Sequence, residues 1–422
     1  MCGNLRLNIL KIIMRILQIS NPKDLREIMQ GIKVDDYGIK IMLPKAIHHL
    51  VRINSLSCIA ANILKQEILS LGGDLAVARD TLTGKDKNTN CLLMGTLSQF
   101  NHLIGKLNRQ PFGLDKLAHD LSSSLSNYQK NNFSMNLGRY KLNLKENRAY
   151  IMGIVNLTPD SFSGDGFYQS PVSGLRSPVN EIIEYAQKMV DDGADIIDVG
   201  GESTRPGAKP VSLKEELKRA IPIIKKIARK IKAPISIDTY KPETAKQALD
   251  NGAIIVNDIT GLRNIKMAEV VSKYKAGVII MHMQGEPATM QNSSAYNYLL
   301  DEIIDYLEDA ISRAVSCGID KERIMVDPGI GFGKNLEQNC EVLKSIKEFK
   351  ILGRPLLAGV SRKSFIGKIL KVEPKERIHG TISACILAIQ NGVNILRVHD
   401  VREVKQALKV SEAITYGVRK TT

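Results

Sequence analysis

Short apolar runs in the second half of the chain repeatedly end in a polar or charged side chain. These side chains are Asn156, the group of Glu202, Thr204 and Arg205, and then Asp238, Asn257, Asp327, Lys363, Arg397 and His399. A single Asp after a strand is often only a helix N-cap. A whole series of such positions is harder to explain in that way, and it indicates a functional site where the strands end.

Three members of this series suit a flat heterocycle. Asp238, Asn257 and Asp327 provide carboxylate oxygens and an amide, which match the amino and lactam groups of such a ring. Apolar side chains close to them in sequence could sandwich the ring, and they are Ile259, Met281 and Phe332. The sequence therefore predicts a pocket for a nitrogen heterocycle.

A second group of residues suits an anion. Arg397 supplies a planar fork of N–H donors, and His399 adds another donor. The amide of Asn156 can ligate a hydrated Mg2+, which makes Asn156 a candidate metal-binding residue. Lys363 lies in the stretch Ser-Arg-Lys-Ser-Phe and is a cation that can reach both a heterocycle and a carboxylate.

A repeated unit of strand, polar loop and helix must position these residues. The run Ile151–Val155 predicts the first buried parallel strand. Later strands are expected to end at Asp198, Asp238, Asn257, His282, Asp327, Val360 and His399, with helices at 179–191, 213–231, 242–251, 265–275, 297–317, 336–350, 374–391 and 400–414. This alternation predicts a (β/α)8 TIM barrel over residues 136–422. A doubly wound sheet would need a Gly-rich phosphate turn after its first strand, which is absent.

Residues 1–135 are predicted to form a small α/β module whose role stays open. Strands are expected at 15–19, 39–43, 76–78 and 91–95, and helices at 23–30, 45–71 and 114–125. The polar stretch 131–136 marks the boundary, and 139–143 is expected to pair with Tyr150 beneath the barrel. His48 and His49 would point to different faces of a helix, so they do not predict a metal site. Packing against the barrel or oligomerisation is the expected role.

Composition narrows the classes of partner. The 422 residues carry a net charge of +15, of which residues 1–148 hold +10, so the barrel is only mildly basic. Such a barrel suits anionic small substrates, although a generally Lys-rich chain explains the charge equally well. Trp is absent and aromatic residues make up 5%, which argues against a stacking surface for single-stranded nucleic acid. Apolar runs stay below the roughly 18 to 20 residues of a membrane span. We expect neither nucleic acid nor a membrane as partner.

Cysteine usage favours a reducing, cytoplasmic compartment. The six cysteines form no C-x-x-C pair and have no metal-ligand spacing, which is typical of buried or inert thiols. The apolar start is interrupted by Arg6, Lys11 and Arg15 and has no secretory pattern, although its lack of acidic residues leaves a transit peptide open. Met14 is an alternative start.

Motifs across residues 150–415 resemble dihydropteroate synthase. They are, in chain order, MGIVNLTPDSFS, DVGGESTRPG, SIDTYKP, NDITG, VDPGIGFGK, GVSRKSFIG and RVHD. The resemblance implies a transferase of folate biosynthesis, and a sulfonamide target. It joins 4-aminobenzoate to 6-hydroxymethyl-7,8-dihydropterin diphosphate and releases 7,8-dihydropteroate and pyrophosphate. It also implies a homodimer.

The resemblance assigns roles to matching positions. Pterin is held by Asp238, Asn257, Asp327 and Lys363, and the diphosphate with Mg2+ by Asn156, Arg397 and His399. The 4-aminobenzoate site is shaped by Phe162, Thr204, Arg205, Pro206 and Ser364. Pyrophosphate would leave first with cationic stabilisation, and the arylamine would then attack the resulting cationic methylene. Loop closure would keep water from capturing that cation.

One loop departs from the family pattern and keeps two alternatives open. The family usually has SFSDGG where this chain has SFSGDG, so Asp165 stands one position later than expected. The freedom of the neighbouring glycines can absorb this shift. The first alternative is a pterin-dependent methyltransferase acting on methyltetrahydrofolate, which would not need Lys363 or the pair Arg397 and His399. The second is a catalytically silent scaffold barrel, which the displaced Asp165 favours and the intact series opposes.

Overall fold

The computed structural model describes residues 14–17, 19, 21–83, 86–157, 178–203, 210–285 and 295–418. The chain divides into two compact units between Ser123 and Ser124. This division lies earlier than the boundary expected after residue 135, because the segment that follows it belongs to the barrel unit. Within the described ranges, no helix is both long and apolar enough to cross a bilayer.

The first unit combines helices with a three-stranded sheet. Its elements are α1 (Pro22–Gly31), α2 (Asp36–Ala46), β1 (His48–Ser57), α3 (Cys58–Leu69), β2 (Asp74–Val77), β3 (Asn88–Thr96), α4 (Leu97–Leu107) and the first part of α5 (Leu114–Gln129). The sheet has the order β1–β3–β2, and both pairs are antiparallel. Side chains of Asn21, Ser57 and Thr96 accept hydrogen bonds from the first backbone N–H groups of α1, α3 and α4, which fixes where these helices begin.

Several predictions for the first unit were wrong. The strand expected at 39–43 lies within α2, whose N-cap Asp35 accepts from the Gly38 N–H. The helix expected at 45–71 begins only at Cys58, because residues 48–57 pair with β3 instead. The described part of 15–19 contains no strand. His48 and His49 therefore lie on a strand, where neighbouring side chains also point to opposite faces.

The second unit is a (β/α)8 barrel, which confirms the predicted fold class. Its parallel strands are β6 (Tyr150–Asn156), β7 (Ile196–Gly200), β8 (Ile235–Asp238), β9 (Ile255–Asp258), β10 (Gly277–Met281), β11 (Ile324–Asp327), β12 (Leu357–Ala358) and β13 (Ile395–Val398). Their order is β11–β10–β9–β8–β7–β6–β13–β12. A parallel bridge between Val326 and Leu356 brings the two edges of the sheet together. The strands are buried on both faces, which explains their continuous apolar runs.

Predicted strand ends agree with the structure at some positions and not at others. β6, β8 and β11 end at Asn156, Asp238 and Asp327 as predicted. β7 continues past Asp198 to Gly200, and β12 ends before Val360. Asp198 is therefore a strand residue in the barrel wall and not the first residue of a loop.

Helices cover the outside of the barrel. They are α6 (Pro178–Asp191), α7 (Leu213–Lys230), α8 (Pro242–Asp250), α9 (Ile265–Tyr274), α10 (Leu299–Ser316), α11 (Leu336–Lys344), α12 (Ser364–Leu370), α13 (Ile378–Gln390) and α14 (Val401–Tyr416). In α7, Ala220, Ile223, Ile224 and Ile227 are buried at helical spacing, whereas its Lys side chains are exposed. Such apolar stripes and the outward side chains of the strands form the main core.

A hairpin closes the N-terminal end of the barrel. β4 (Phe133–Leu137) and β5 (Tyr140–Leu144) pair antiparallel, so the expected pairing of 139–143 with Tyr150 was wrong. Tyr150 instead donates its hydroxyl hydrogen to the carbonyl of Asn143. Apolar residues of the hairpin pack against inward side chains at the strand starts, including Met152, Ile196, Ile255 and Ile395. This plug leaves the opposite, C-terminal end for chemistry.

Candidate active site

Charged and amide side chains converge inside the C-terminal end of the barrel. They come from five strands: Asp198 from β7, Asp238 from β8, Asn257 from β9, Asp327 from β11 and Arg397 from β13. The three carboxylates and the amide are buried, and Arg397 is mostly buried. The strand register places Asp238 directly beside Asn257. Four of these five residues were predicted, and the structure brings them together.

Arg397 links two of the carboxylates. Its Nε donates to Asp198 Oδ2 at 2.6 Å, and its Nη2 donates to Asp238 Oδ2 at 2.7 Å. Burial acts to lower the pKa of Arg397, but the neighbouring carboxylates, first of all Asp198, outweigh it and hold that pKa above its usual value. Asn257 Nδ2 also donates to Asp198 Oδ2, at 3.3 Å. Asp198 thus orients both the guanidinium and the amide.

Two buried carboxylate oxygens in this cluster have no hydrogen-bond partner among the residues that the structure describes. They are Oδ1 of Asp198 and Oδ1 of Asp238. Burial raises the pKa of Asp238 to about 7, with Arg397 opposing the shift and Asp198 adding to it. Buried acceptors without partners are rare and call for an explanation, and a ligand that carries N–H groups supplies one. The cluster is therefore short of donors in the way expected of a heterocycle-binding pocket.

Lys363 and Asp327 influence each other electrostatically within the site. Burial lowers the pKa of Lys363 to about 8, against the attraction of Asp327. The Lys363 Nζ donates to the carbonyl of Ile330 and lies 4.4 Å from the centroid of the Phe332 ring. Asp327 Oδ1 accepts from the Gly329 N–H at 2.7 Å, which holds the start of the same loop. The cation is thus desolvated and placed beside an aromatic face.

The apolar residues predicted to sandwich a ring lie together in a small cluster of their own. Ile259, Met281 and Met283 are buried together, and Tyr240 and Phe332 pack against them. The cluster includes all three predicted residues and adds Met283 and Tyr240. Tyr240, Ile259 and Phe332 follow β8, β9 and β11, which carry members of the polar cluster, whereas Met281 ends β10 and Met283 follows it.

The predicted anion group lies at the ends of β6 and β13. The His399 Nε2 is 3.4 Å from Asn156 Nδ2, so these two side chains are neighbours. Ser361 Oγ accepts from the His399 backbone N–H at 3.2 Å and lies 3.1 Å from its Nδ1. Because Asn156 Nδ2 is a donor, His399 Nε2 accepts from it, and the Nδ1–H then donates to Ser361 Oγ. Ser364, predicted for the arylamine site, is exposed at the start of α12.

Lys334 anchors the loop that follows β11. Its Nζ contacts three acceptors: His282 Nδ1 at 3.0 Å, the Gly329 carbonyl at 2.9 Å and the Phe332 carbonyl at 3.1 Å. Burial lowers the pKa of Lys334 to about 7, and burial lowers that of His282 to about 2, so the imidazole is a neutral acceptor. The three contacts match the three hydrogens of an ammonium group. The sequence analysis did not find this anchor.

Another ion-pair network missed by the sequence analysis joins β7, α7 and α8. Lys241 Nζ donates to Glu202, to Glu216 Oε2 at 2.8 Å and to the Val211 carbonyl at 2.8 Å. Glu202 also accepts from the Val211 N–H at 2.9 Å. Glu202 was predicted as a rim residue, and the structure gives it this structural contact.

Some predicted residues lie outside the described part of the chain. They are Phe162, Thr204, Arg205 and Pro206, together with the displaced Asp165. Among the described residues, no group of three or more His, Cys, Asp and Glu side chains could hold a metal ion. Within the described ranges the predicted metal ligand is the amide of Asn156, and a single ligand of this kind suits a Mg2+ that keeps waters and binds mainly through substrate phosphates.

Comparisons with known proteins agree with this geometry. The family described as pterin binding enzyme matches residues 152–399. A dihydropteroate synthase from Synechocystis is 48% identical over 269 residues, which cover 63% of this chain and 90% of that relative. A probable bifunctional folylpolyglutamate synthase/dihydropteroate synthase from Halobacterium salinarum is 36% identical over 399 residues, which cover 94% of this chain and 47% of that relative.

Solved structures of dihydropteroate synthases are also similar to this chain. A Clostridium difficile dihydropteroate synthase, solved in the presence of pteroic acid, is 50% identical with a TM-score of 0.58 and covers 64% of this chain and 97% of its own. A Xanthomonas albilineans dihydropteroate synthase with 4-aminobenzoic acid is 36% identical with a TM-score of 0.62 and covers 68% of this chain and 99% of its own. The chain therefore belongs to the pterin-binding enzyme family. Within that class it stands with the dihydropteroate synthases, which are transferases of folate biosynthesis.

Proposed function

We propose that this chain condenses 6-hydroxymethyl-7,8-dihydropterin diphosphate with 4-aminobenzoate to give 7,8-dihydropteroate and pyrophosphate. The observation that carries the proposal is the buried cluster of Asp198, Asp238, Asn257 and Asp327 around Arg397, with two acceptors left unpaired. A pterin presents amino and ring N–H donors on one edge, which are the groups that this cluster lacks. The flat ring fits between the neighbouring apolar side chains.

The rest of the site suits departure of a diphosphate. Arg397 uses Nε and Nη2 for carboxylates, which leaves Nη1 for an anionic oxygen. His399 Nε2 and Asn156 lie at the adjacent strand ends. Lys363 is a desolvated cation, and a cation in a site of low dielectric stabilises developing negative charge more strongly than in water. Both cationic residues therefore act on the leaving group and on the pterin edge.

Mg2+ is the cofactor that this arrangement fits when the diphosphate is present. Asn156 would hold it through a hydrated or direct amide contact, and bound Mg2+ would neutralise charge on the departing pyrophosphate. The reaction then needs no strong base. Electron donation from the dihydropterin supports a cationic methylene, and the neutral arylamine attacks it. Phe162, Thr204, Arg205, Pro206 and Ser364 are proposed for the 4-aminobenzoate site.

We also propose that the chain is a homodimer. Large apolar side chains are exposed on three neighbouring outer helices, α12, α13 and α14, and they are Ile369, Leu370, Leu387, Val410 and Ile414. Exposed apolar patches of this kind commonly mark protein–protein interfaces. Sedimentation of the wild type and of Leu387→Glu tests this: a dimer that becomes a monomer supports it, and a wild-type monomer contradicts it.

A cytoplasmic location is proposed from the thiols. The described cysteines Cys58, Cys91, Cys317, Cys340 and Cys385 are all free, and two of them are at least partly accessible to solvent. Free accessible thiols persist in reducing compartments.

The test of the proposed reaction separates it from methyl transfer. Purified full-length protein is incubated with Mg2+, dihydropterin diphosphate and 4-aminobenzoate, and separately with methyltetrahydrofolate and a reduced corrinoid acceptor. Dihydropteroate and pyrophosphate formed in equal amounts, without methyl transfer, are the expected result. Methyl transfer without condensation would establish the methyltransferase alternative, and pterin binding without either product would leave a binding barrel.

A further inference from the structure

Arg362, which precedes Lys363, has an unusual backbone conformation. Its φ angle is 55°, in the left-handed region that residues other than Gly and Asn rarely occupy. Such a conformation persists only when its surroundings enforce it, and it is found preferentially at functional sites. The contacts of Arg362 therefore need an explanation.

Two separate parts of the chain, the start of α13 and the residue that precedes α14, hold Arg362 in place. Its Nε donates to Asp400 Oδ2 at 2.9 Å and its Nη2 donates to Asp400 Oδ1 at 2.5 Å, a two-pronged ion pair. Its backbone N–H donates to Thr381 Oγ1 at 3.0 Å, in α13. Its carbonyl accepts from Arg377 Nη1 at 2.9 Å. The side chain and both backbone polar groups are thus fixed by residues far along the chain.

Asp400 uses its side chain for this ion pair and not for capping a helix. It is the N-cap residue of α14, where an Asp normally accepts a hydrogen bond from the first turn of the helix, yet its side chain makes no capping bond. Both carboxylate oxygens bond to Arg362 instead. The ion pair therefore takes the place of a stabilising helix cap.

A second contact lies one residue before the ion pair on each segment. Ser361 Oγ bonds to the backbone and ring of His399, and the next residues along, Arg362 and Asp400, form the ion pair. Two consecutive residues after β12 thus hold two consecutive residues after β13. We call these four residues, Ser361, Arg362, His399 and Asp400, the cross-brace. Arg362 of the cross-brace directly precedes Lys363 in the sequence, and His399 is itself a member of the cross-brace.

We propose that Arg362 and Asp400 are positioning residues of the synthase reaction: their ion pair holds the left-handed turn that directs Lys363 toward the pterin and His399 toward the diphosphate. This inference rests on the proposed function. The alternative is a pair that only stabilises the fold. The two alternatives differ in their effects on Lys363, whose pKa is lowered by burial and raised by the neighbouring Asp327.

The test compares Arg362→Ala with Arg362→Gly in the full-length protein. Both lose the ion pair, but Gly adopts a φ of 55° without strain and Ala does not. If the pair acts by holding the backbone turn, Arg362→Ala lowers kcat about tenfold or more and Arg362→Gly recovers a clear part of that loss. Equal losses in both variants, or a wild-type kcat in Arg362→Ala, would overturn the proposal.

Further variants show whether the effect passes through Lys363. Asp400→Asn should lower kcat more than it changes the KM for 4-aminobenzoate, and it should move the alkaline limb of the pH profile upward as Lys363 becomes more hydrated. Adding Arg362→Ala to Lys363→Ala should cost less than Arg362→Ala costs alone, because only the effect through His399 remains, whereas independent, multiplied losses contradict the proposal. Arg148→Ala is the matched control, because it breaks a similar ion pair with Asp195 at the other end of the barrel.

Failure of the proposed function can be told apart from failure of the cross-brace. Binding of the dihydropterin diphosphate is measured in parallel by its fluorescence, which needs no turnover. If the wild type binds pterin but makes no dihydropteroate, the proposed function fails. The cross-brace is then supported if Arg362→Ala weakens pterin binding more than Arg362→Gly does, and contradicted if the two bind equally.

Discussion

Asp238 is a residue at which binding and stability oppose one another. Burial raises its pKa to about 7, above the value of 3.8 for an ordinary Asp, so the folded protein holds a proton there that the unfolded chain releases. This group therefore costs stability as the pH rises from about 4 to about 7, and the full cost is present above that window. A site that leaves acceptors unpaired for its ligand is expected to be destabilising in this way.

We predict that Asp238→Asn lowers kcat/KM by about 100-fold, because the amide cannot replace an anionic acceptor. It should also raise the melting temperature relative to the wild type, and more at pH 8 than at pH 5, since Asn does not ionise. Thermal melts at the two pH values measure this difference. An equal change at both values would show that Asp238 is not protonated in the folded protein.

Lys363 should set the alkaline limit of activity. With its pKa lowered to about 8 by burial, the cation is lost as the pH rises through that value, and kcat/KM should fall with it. Lys363→Arg keeps a cation of much higher pKa and should move this limb upward even if its rate is lower. Steady-state rates from pH 6 to 10 provide the measurement, and an unchanged limb in Lys363→Arg would assign it to another group.

The sequence predicted most of the polar cluster but not Asp198 or the ion pair of Arg362 with Asp400. Asp238, Asn257, Asp327 and Arg397 follow apolar runs, and strand ends can be seen in a sequence. Asp198 lies inside such a run. The signal that could have identified it is an acidic residue within an apolar strand, because a buried charge requires a partner. The ion pair of Arg362 with Asp400 had no signal, because it depends on packing between segments 38 residues apart.

At the scale of elements, the hairpin of β4 and β5 confines the chemistry to one end of the barrel. Leu137 is fully buried within it and packs against the start of β10, where a Cβ on Gly277 would lie 2.9 Å from Leu137 Cδ2. The site residues lie at the opposite ends of the strands. The hairpin forms the floor of the barrel, and mutations in this floor should therefore have effects separate from those of mutations in the site.

We predict that Leu137→Ala lowers the free energy of unfolding by about 2–4 kcal/mol through loss of buried contacts. The KM values for both substrates should stay at their wild-type levels in the remaining folded protein. Urea unfolding and steady-state kinetics check the two parts, with the partly exposed Leu213→Ala as control. A large change in KM would show that the floor and the rim are coupled.

Elements of the barrel were easier to predict than those of the first unit. A parallel strand buried on both faces is a continuous apolar run, and each barrel strand is followed by an amphipathic helix. β1 has no such signature: its pairing with β3 decides its conformation, and residues 48–57 taken alone suit a helix as well. α4 was missed although its start carries the capping pair Thr96 and Gln99.

At the scale of the whole molecule, the first unit carries none of the described site residues. They all follow Ser124, and the Synechocystis relative matches over only 63% of this chain. The longer match to the halobacterial protein extends into the first unit, so this unit occurs with a synthase barrel elsewhere too. We therefore expect its role to be separate from the chemistry.

We predict that deletion of residues 1–112, which keeps α5 whole, leaves kcat and both KM values unchanged, since compact units of a chain commonly fold on their own. Kinetics of the truncated and full-length proteins at matched active-site concentration provide the comparison. Folded but inactive truncated protein would show that the first unit takes part in catalysis.

The most direct measurement is condensation by Arg397→Met compared with wild type and with Arg148→Met. Arg397 ties two carboxylates of the site together, whereas Arg148 pairs with Asp195 at the floor. We expect wild type and Arg148→Met to form dihydropteroate and pyrophosphate in equal amounts, and Arg397→Met to form almost none while remaining folded. Undiminished product from folded Arg397→Met would contradict the assignment of the active site.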